Sequence, residues 1–338
     1  ERLDGLRRWA TFGLCLTLLT AGFGIPVGQL TYLAFRMVLP ETVSMTVNAL
    51  IPTLTLASLG AVSRQINAVA PDHIHIATEG PLGLLARQYC IDRRFGFTTS
   101  FHTRFPEYLA MRVPVPAEWS YGYLRWFHSV AARTLVPTPS LRDDLTARGF
   151  VRLGLWTRGV DGERFHPGPK TQFTDLPGPH LLYVGRVAAE KNVEAFLSLS
   201  VPGTKIVVGD GPDCARLMRE FPDAVFMGYR HGAELGEVYR SADVLVFPSR
   251  TDTFGNVITE ALASGTPVAA LPVTGPLDVL SDPRAGALHE DLNVAVARAL
   301  TLRREDARRH GQLFTWAASA GQLRDALEPL HRRLAATG

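Results

Sequence analysis

From about residue 72 onward the chain alternates short apolar runs with longer amphipathic segments. That order limits its fold more than any other feature. Ile74–Ala77 and Phe97–Phe101 read as strands, with a helix from Leu82 to Arg94 between them. Ala117 to Ala132 reads as an aromatic-rich helix and Thr134–Pro137 as the next strand. Ser140 reads as the cap of a helix through Ala147. A second series places strands near 180–184, 205–208, 224–227, 243–247 and 268–271, with helices between them. It ends on a polar helix from Arg303 to His310 and a last helix from Phe314 to Leu334. Repeated strand-then-helix order predicts parallel, doubly wound α/β sheets. Between the two series, Phe165 to Pro179 is rich in Pro, Gly and polar residues and reads as an interdomain linker. The expected organisation is a first domain over 1–167, a second over 168–315 and a terminal helix over 316–338. With 338 residues, 46% of them hydrophobic, the chain can build two cores.

Val244–Pro248 is an apolar run that reads as a buried parallel strand. The stretch from Ser249 to Pro267 follows it, where open α/β sheets bind ligands. Asp252 and Glu260 bracket a helix start at Gly255. Free backbone N–H groups there can hold an anion, and Glu260 lies about one turn further in. The bland alternative is a capped helix with two solvated acids. In the first series, His102 follows a strand and precedes a turn, and a lone His there can be a structural hydrogen-bonder.

The formal charge of +3 does not by itself indicate nucleic-acid binding, and no RNA-binding signature is visible, so no nucleic-acid partner is expected. Cys15, Cys90 and Cys214 are odd in number and far apart, which suggests reduced thiols and a cytoplasmic setting. No Cys/His cluster has zinc spacing, and no two aspartates lie two apart. The expectation is no metal and no cofactor.

The Asp252–Glu260 segment, followed by Ala and a small-residue-Gly-x-Pro turn, resembles the nucleotide-sugar site of retaining glycosyltransferases of the GT-B fold, family 4, also called group 1. Three further segments match: Leu181–Asn192 with Gly185, Arg186, Glu190 and Lys191; Val207–Pro212; and Phe226–Arg230 with Gly228 and Tyr229. In the first half, Ser100–Tyr108, His75–Gly83 and Arg158–Pro167 also look like family segments. The match runs from about residue 53 to about 330. The family usually has Glu where Asp252 stands, so the first acid is one C–C bond shorter.

The resemblance implies two Rossmann-like domains facing a cleft, with the terminal helix crossing back toward the first. It implies a donor site in which Arg186 and Lys191 hold the diphosphate. Gly185, Phe254, Gly255 and Asn256 line that site, Glu260 binds the ribose, and Gly228 and Tyr229 lie against the base. His102 and Asp252 would stand beside the donor sugar. Departure of a diphosphate builds negative charge on it and positive charge at the anomeric carbon. Without a metal, a bidentate guanidinium, an ammonium and a helix N-terminus must stabilise the first. The bland alternative for Arg186 and Lys191 is a surface pair near Glu190.

The implied activity is transfer of a hexose such as mannose, with retention, from a nucleotide sugar to a lipid or glycan hydroxyl. Two alternatives stand beside it: a catalytically silent nucleotide-sugar-binding protein, and a nucleotide-sugar epimerase. Glu79 and Gly80 face the cleft as acceptor contacts or as a cap, and Gly275–Pro276 form a turn near the donor. Trp119, Tyr123, Trp126 and Phe127, with Arg125 and Arg133, form a core stripe or a peripheral contact with an acidic membrane surface. The first fifty residues lack the family's Gly-rich loop. Ala10 to Phe35 carries no charge, and reads as a membrane anchor, an ordinary domain segment or altered sequence.

Overall fold

The computed structural model describes residues 60–110 and 116–327; the readings of the first fifty residues fall outside them. Residues 60–69 are helical. The first series then runs β1 (His75–Ile76), α1 (Pro81–Arg93), β2 (Thr98–Ser100), α2 (Phe105–Ala110), α3 (Ala117–His128), β3 (Arg133–Val136), α4 (Pro139–Ala147) and β4 (Leu153–Leu155). Its four strands pair in chain order, all parallel.

The second series runs β5 (His180–Val184), a 3-10 turn (Ala189–Lys191), α5 (Val193–Leu197), β6 (Thr204–Val208), α6 (Cys214–Glu220), β7 (Val225–Gly228), α7 (Gly232–Ser241), β8 (Val244–Phe247) and α8 (Asn256–Ala263). It continues through β9 (Val268–Ala270), α9 (Pro276–Val279), β10 (Gly286–Leu288), α10 (Leu292–Ala299), α11 (Arg304–Gly311) and α12 (Trp316–Ala326). The parallel strands lie in the order β10-β9-β8-β5-β6-β7. The order therefore reverses between β5 and β8.

The second sheet is apolar because both its faces are covered. Leu182, Val184, Ile206, Val208, Leu245 and Phe247 enter one core cluster. Their alternating neighbours Leu181, Tyr183, Val207, Val244 and Val246 enter the cluster on the opposite face. Full burial of each such side chain contributes about 1.5–3 kcal/mol. β2 solves burial differently. Thr98, Thr99 and Ser100 are all buried, and every hydroxyl has a partner. Thr98 and Ser100 bond His75 at 2.9 and 3.2 Å, and Thr99 bonds His128 and Thr134 at 2.8 and 2.9 Å.

Several boundaries differ from the sequence reading. The cap of α4 is Thr138, whose hydroxyl accepts from the Leu141 N–H at 3.4 Å, and Pro139 takes the first helical position. Ser140 instead turns toward α9: its N–H and hydroxyl both donate to Asp278. α3 ends at His128, four residues short of the expected Ala132. Its aromatic stripe divides: Tyr121 and Phe127 are core, whereas Trp119 and Trp126 are exposed. Strands β4 and β10 were not read from the sequence at all. No helix among the described residues is long and apolar enough to cross a membrane.

Candidate functional site

At the carboxyl ends of β5, β6 and β7, three glycines bring the backbones together. The Gly185 N–H donates to the Val208 carbonyl, and the Gly209 N–H donates to the Gly228 carbonyl. A Cβ at Gly209 would stand 1.9 Å from the Gly185 oxygen, at a φ of +136°. Only glycine permits that approach. On the other side of the reversal point, β8 feeds the turn from Pro248 to Gly255. Gly255 adopts a φ of +84° and starts α8 with no side-chain cap, and the first turn of α8 has no acid. Its amide end is thus left open.

Between these two strand ends lies a cleft of about 270 Å³. It occupies the crevice outside the carboxyl ends of the strands at the switch point. Gly185, Arg186, Lys191, Asp252, Phe254, Gly255 and Asn256 line it from the second sheet, and His102 from the first. The structure thus brings together eight of the residues singled out in the sequence. Glu260, Gly228 and Tyr229 are not among the lining residues. The Tyr239 hydroxyl donates to Glu260 at 2.7 Å, and burial holds the Glu260 carboxyl above the usual carboxylate range. Tyr229 is exposed and stacks on His231 at the far edge of the sheet.

The cations differ in how they are held. Lys191 Nζ lies 2.5 Å from Asp252 Oδ1, with both side chains about a fifth exposed. The other oxygen, Asp252 Oδ2, is buried with no hydrogen-bond partner among the described residues. Arg186 is more than half exposed and pairs with Glu190 at 3.7 Å, a long separation for an ion pair. Tyr183 fixes the Arg186 backbone by donating to its carbonyl at 2.8 Å.

Of the lining residues that sequence reasoning missed, Arg158 and Ser249 carry polar groups without partners among the described residues. Arg158, half-buried beside Trp156, has no carboxylate partner among the described residues. Ser249 is buried, and its hydroxyl has no partner among the described residues. The signals were present but weak: an arginine in a matched segment, and a serine at a strand end.

His102 sits where the two sheets meet. Its carbonyl accepts from Thr253 Oγ1 at 2.5 Å, and its Nδ1 is buried without a partner among the described residues. Burial, then Arg158, then His75 push its pKa down to about 3, so the ring is neutral at physiological pH. Further bonds cross between the halves, from Arg104 to Thr274 and from Ser140 to Asp278.

A family model described as glycosyl transferases group 1 matches residues 178–303, and one described as glycosyltransferase family 4 matches residues 20–164. The second match begins well before residue 53, where the motif resemblance stopped. The chain is 36% identical over 251 residues to a GDP-mannose-dependent alpha-mannosyltransferase of Mycobacterium tuberculosis, covering 70% of this chain and 66% of that one. It is 35% identical to a protein of the same description from Mycolicibacterium smegmatis, covering 71% and 67%. The chain thus spans about two thirds of these relatives' length. Among solved structures, Anabaena HepE in complex with UDP aligns with a TM-score of 0.65 at 15% identity, over 81% of this chain and 82% of that one. The fold is GT-B, with two Rossmann-like domains.

Proposed function

The chain belongs to glycosyltransferase family 4, group 1, and from that premise we propose that it moves a hexose, mannose in our reading, from a nucleoside diphosphate donor to a hydroxyl of a lipid or glycan, with retention of configuration. The observation that carries this reading is the cleft at the reversal point, where Arg186, Lys191, Arg158 and the open amide end of α8 surround one space. The relatives described as GDP-mannose-dependent support mannose and guanosine. We assign residues 1–167 to the acceptor side, 168–315 to the donor side and 316–338 to the crossing segment.

Arg186 grips phosphate oxygens through two parallel N–H bonds, and Lys191 adds a point charge held in place by Asp252. These groups accelerate the reaction insofar as they bind the departing diphosphate better than the intact donor. Losing one costs about 3 kcal/mol, or roughly a hundredfold. We place the leaving group's charge on these cations, with no metal or cofactor, and a chelator should leave turnover unchanged.

Asp252 stands at the wall of the cleft beside the hexose. Neutral His102 offers a hydrogen bond to a sugar hydroxyl rather than a proton to the leaving group. The acceptor attacks on the face the diphosphate leaves, and a phosphate oxygen takes its proton, so no enzyme nucleophile is needed. Glu260 as ribose contact, and Gly228 with Tyr229 as base contacts, rest on the family resemblance and lie outside the cleft lining.

The test is release of GDP from GDP-mannose by the purified chain, with and without simple lipid and mannoside acceptors. Turnover that is lost in Arg186→Ala supports the reading. Donor binding with no turnover under any condition would favour a silent binding protein. Normal activity in Arg186→Ala would reject the site.

A further inference from the structure

His102 stands at the end of the first sheet, yet the contacts that hold it lead into the second half of the chain. Its carbonyl is bonded by Thr253, which follows Asp252 in the donor loop. Its imidazole meets the indole of Trp156 edge to face, with ring centroids 5.1 Å apart and planes at 61°. The same indole meets His75 at 5.5 Å and 85°. Hydrogen bonds to Thr98 and Ser100 fix His75 in turn. One flat, rigid ring therefore sits between a fixed histidine and the histidine at the cleft.

The polar end of that ring is tied to α12. Trp156 Nε1 donates to Ser319 Oγ at 3.1 Å, and Ser319 donates onward to the Thr157 carbonyl at 2.8 Å. Thr157 is bonded back to the same helix, its N–H and its hydroxyl both donating to Gln322. Ser319 is buried, so no water competes freely for these bonds. The imidazole Nδ1 is buried without a hydrogen-bond partner among the described residues. Packing against the indole is what limits its rotation.

We propose that Trp156 is a positioning residue that sets the His102 imidazole against the cleft, and that Ser319 on α12 sets Trp156. The terminal helix is then part of the site's machinery: when it is seated, His102 has a wall. This rests on the role assigned to His102 above.

The test compares wild type, Trp156→Phe, Ser319→Ala, His102→Ala and the two doubles that carry His102→Ala. It measures GDP release from GDP-mannose, GDP affinity by calorimetry, and the imidazole 15N signals of His102. Trp156→Phe and Ser319→Ala should lower kcat by about tenfold to a hundredfold, the scale of a misplacement near 1 Å. In Ser319→Ala, GDP affinity should stay within about twofold, because Arg186 and Lys191 lie away from α12. The His102 signals should shift. In the His102→Ala background, neither substitution should lower kcat further, because nothing remains to be positioned. A fall by the same factor in both backgrounds, or an unchanged kcat in Ser319→Ala and Trp156→Phe, overturns the proposal. Full turnover in His102→Ala overturns it along with the role of His102, and so marks a different failure.

Discussion

Replacing Lys191 with Met removes the cation from a pair whose geometry sets the size of the effect. Nζ and Oδ1 of Asp252 are 2.5 Å apart, and the side chains are 24% and 18% exposed. Exposed pairs contribute about 0–1 kcal/mol, and breaking a fully buried pair costs about 3–5 kcal/mol. This pair lies between those limits. Its loss also leaves a carboxylate whose other oxygen already lacks a partner. We therefore expect Lys191→Met to cost about 2 kcal/mol, which is about 6 °C in Tm at roughly 3 °C per kcal/mol. The assay is thermal unfolding without ligand, in a cycle with Asp252→Asn. The amide introduced by Asp252→Asn carries no orphan charge, so the double variant should recover at least half of the loss. GDP affinity should fall in both Lys191 variants by about a hundredfold. Equal Tm values for Lys191→Met and the double variant would show that the cost does not arise from the stranded carboxylate.

Gly209→Ala should abolish folded protein or lower Tm by well over 10 °C, since its Cβ would overlap the Gly185 carbonyl at 1.9 Å at an unfavourable φ; circular dichroism and gel filtration read this. His102 has a folded pKa of about 3 against 6.5 unfolded, so the unfolded chain takes up the proton first as pH falls. Its contribution is complete above pH 6.5, and stability is lost below that by up to about 1.4 kcal/mol per pH unit. His102→Asn should flatten Tm against pH over that window, and a parallel curve would refute the assignment. Ser140→Ala should lower Tm by about 2–6 °C, because the half-buried Asp278 carboxylate loses its hydroxyl donor across the domain boundary.

β5 through β9 were legible in the sequence because parallel strands covered on both faces are mostly apolar. Val244–Phe247 shows this most plainly, since all four residues are buried. β4 and β10 escaped because each is three residues long and carries a glycine, leaving no run to read. Thr138 and Ser140 flank Pro139 and are both good caps. Proline's preference for the first helical position separates them, and Ser140 finds its partner 138 residues away. The cleft was legible where chemistry follows a strand end, as at Arg186, Lys191, Asp252 and Gly255. Arg158 and Trp156 were not, because their neighbours His102, His75 and Ser319 are distant in sequence. The aromatic helix α3 was ambiguous because burial of Tyr121 and Phe127 but not Trp119 depends on which face the sheet presents.

The most direct measurement is a crystal structure of the chain with GDP bound. The diphosphate should lie in the cleft between β5 and β8. It should lie within hydrogen-bond reach of the Arg186 guanidinium, the Lys191 ammonium and the first amides of α8. A diphosphate bound outside that crevice, with the Arg186 guanidinium still turned to Glu190, would contradict this assignment.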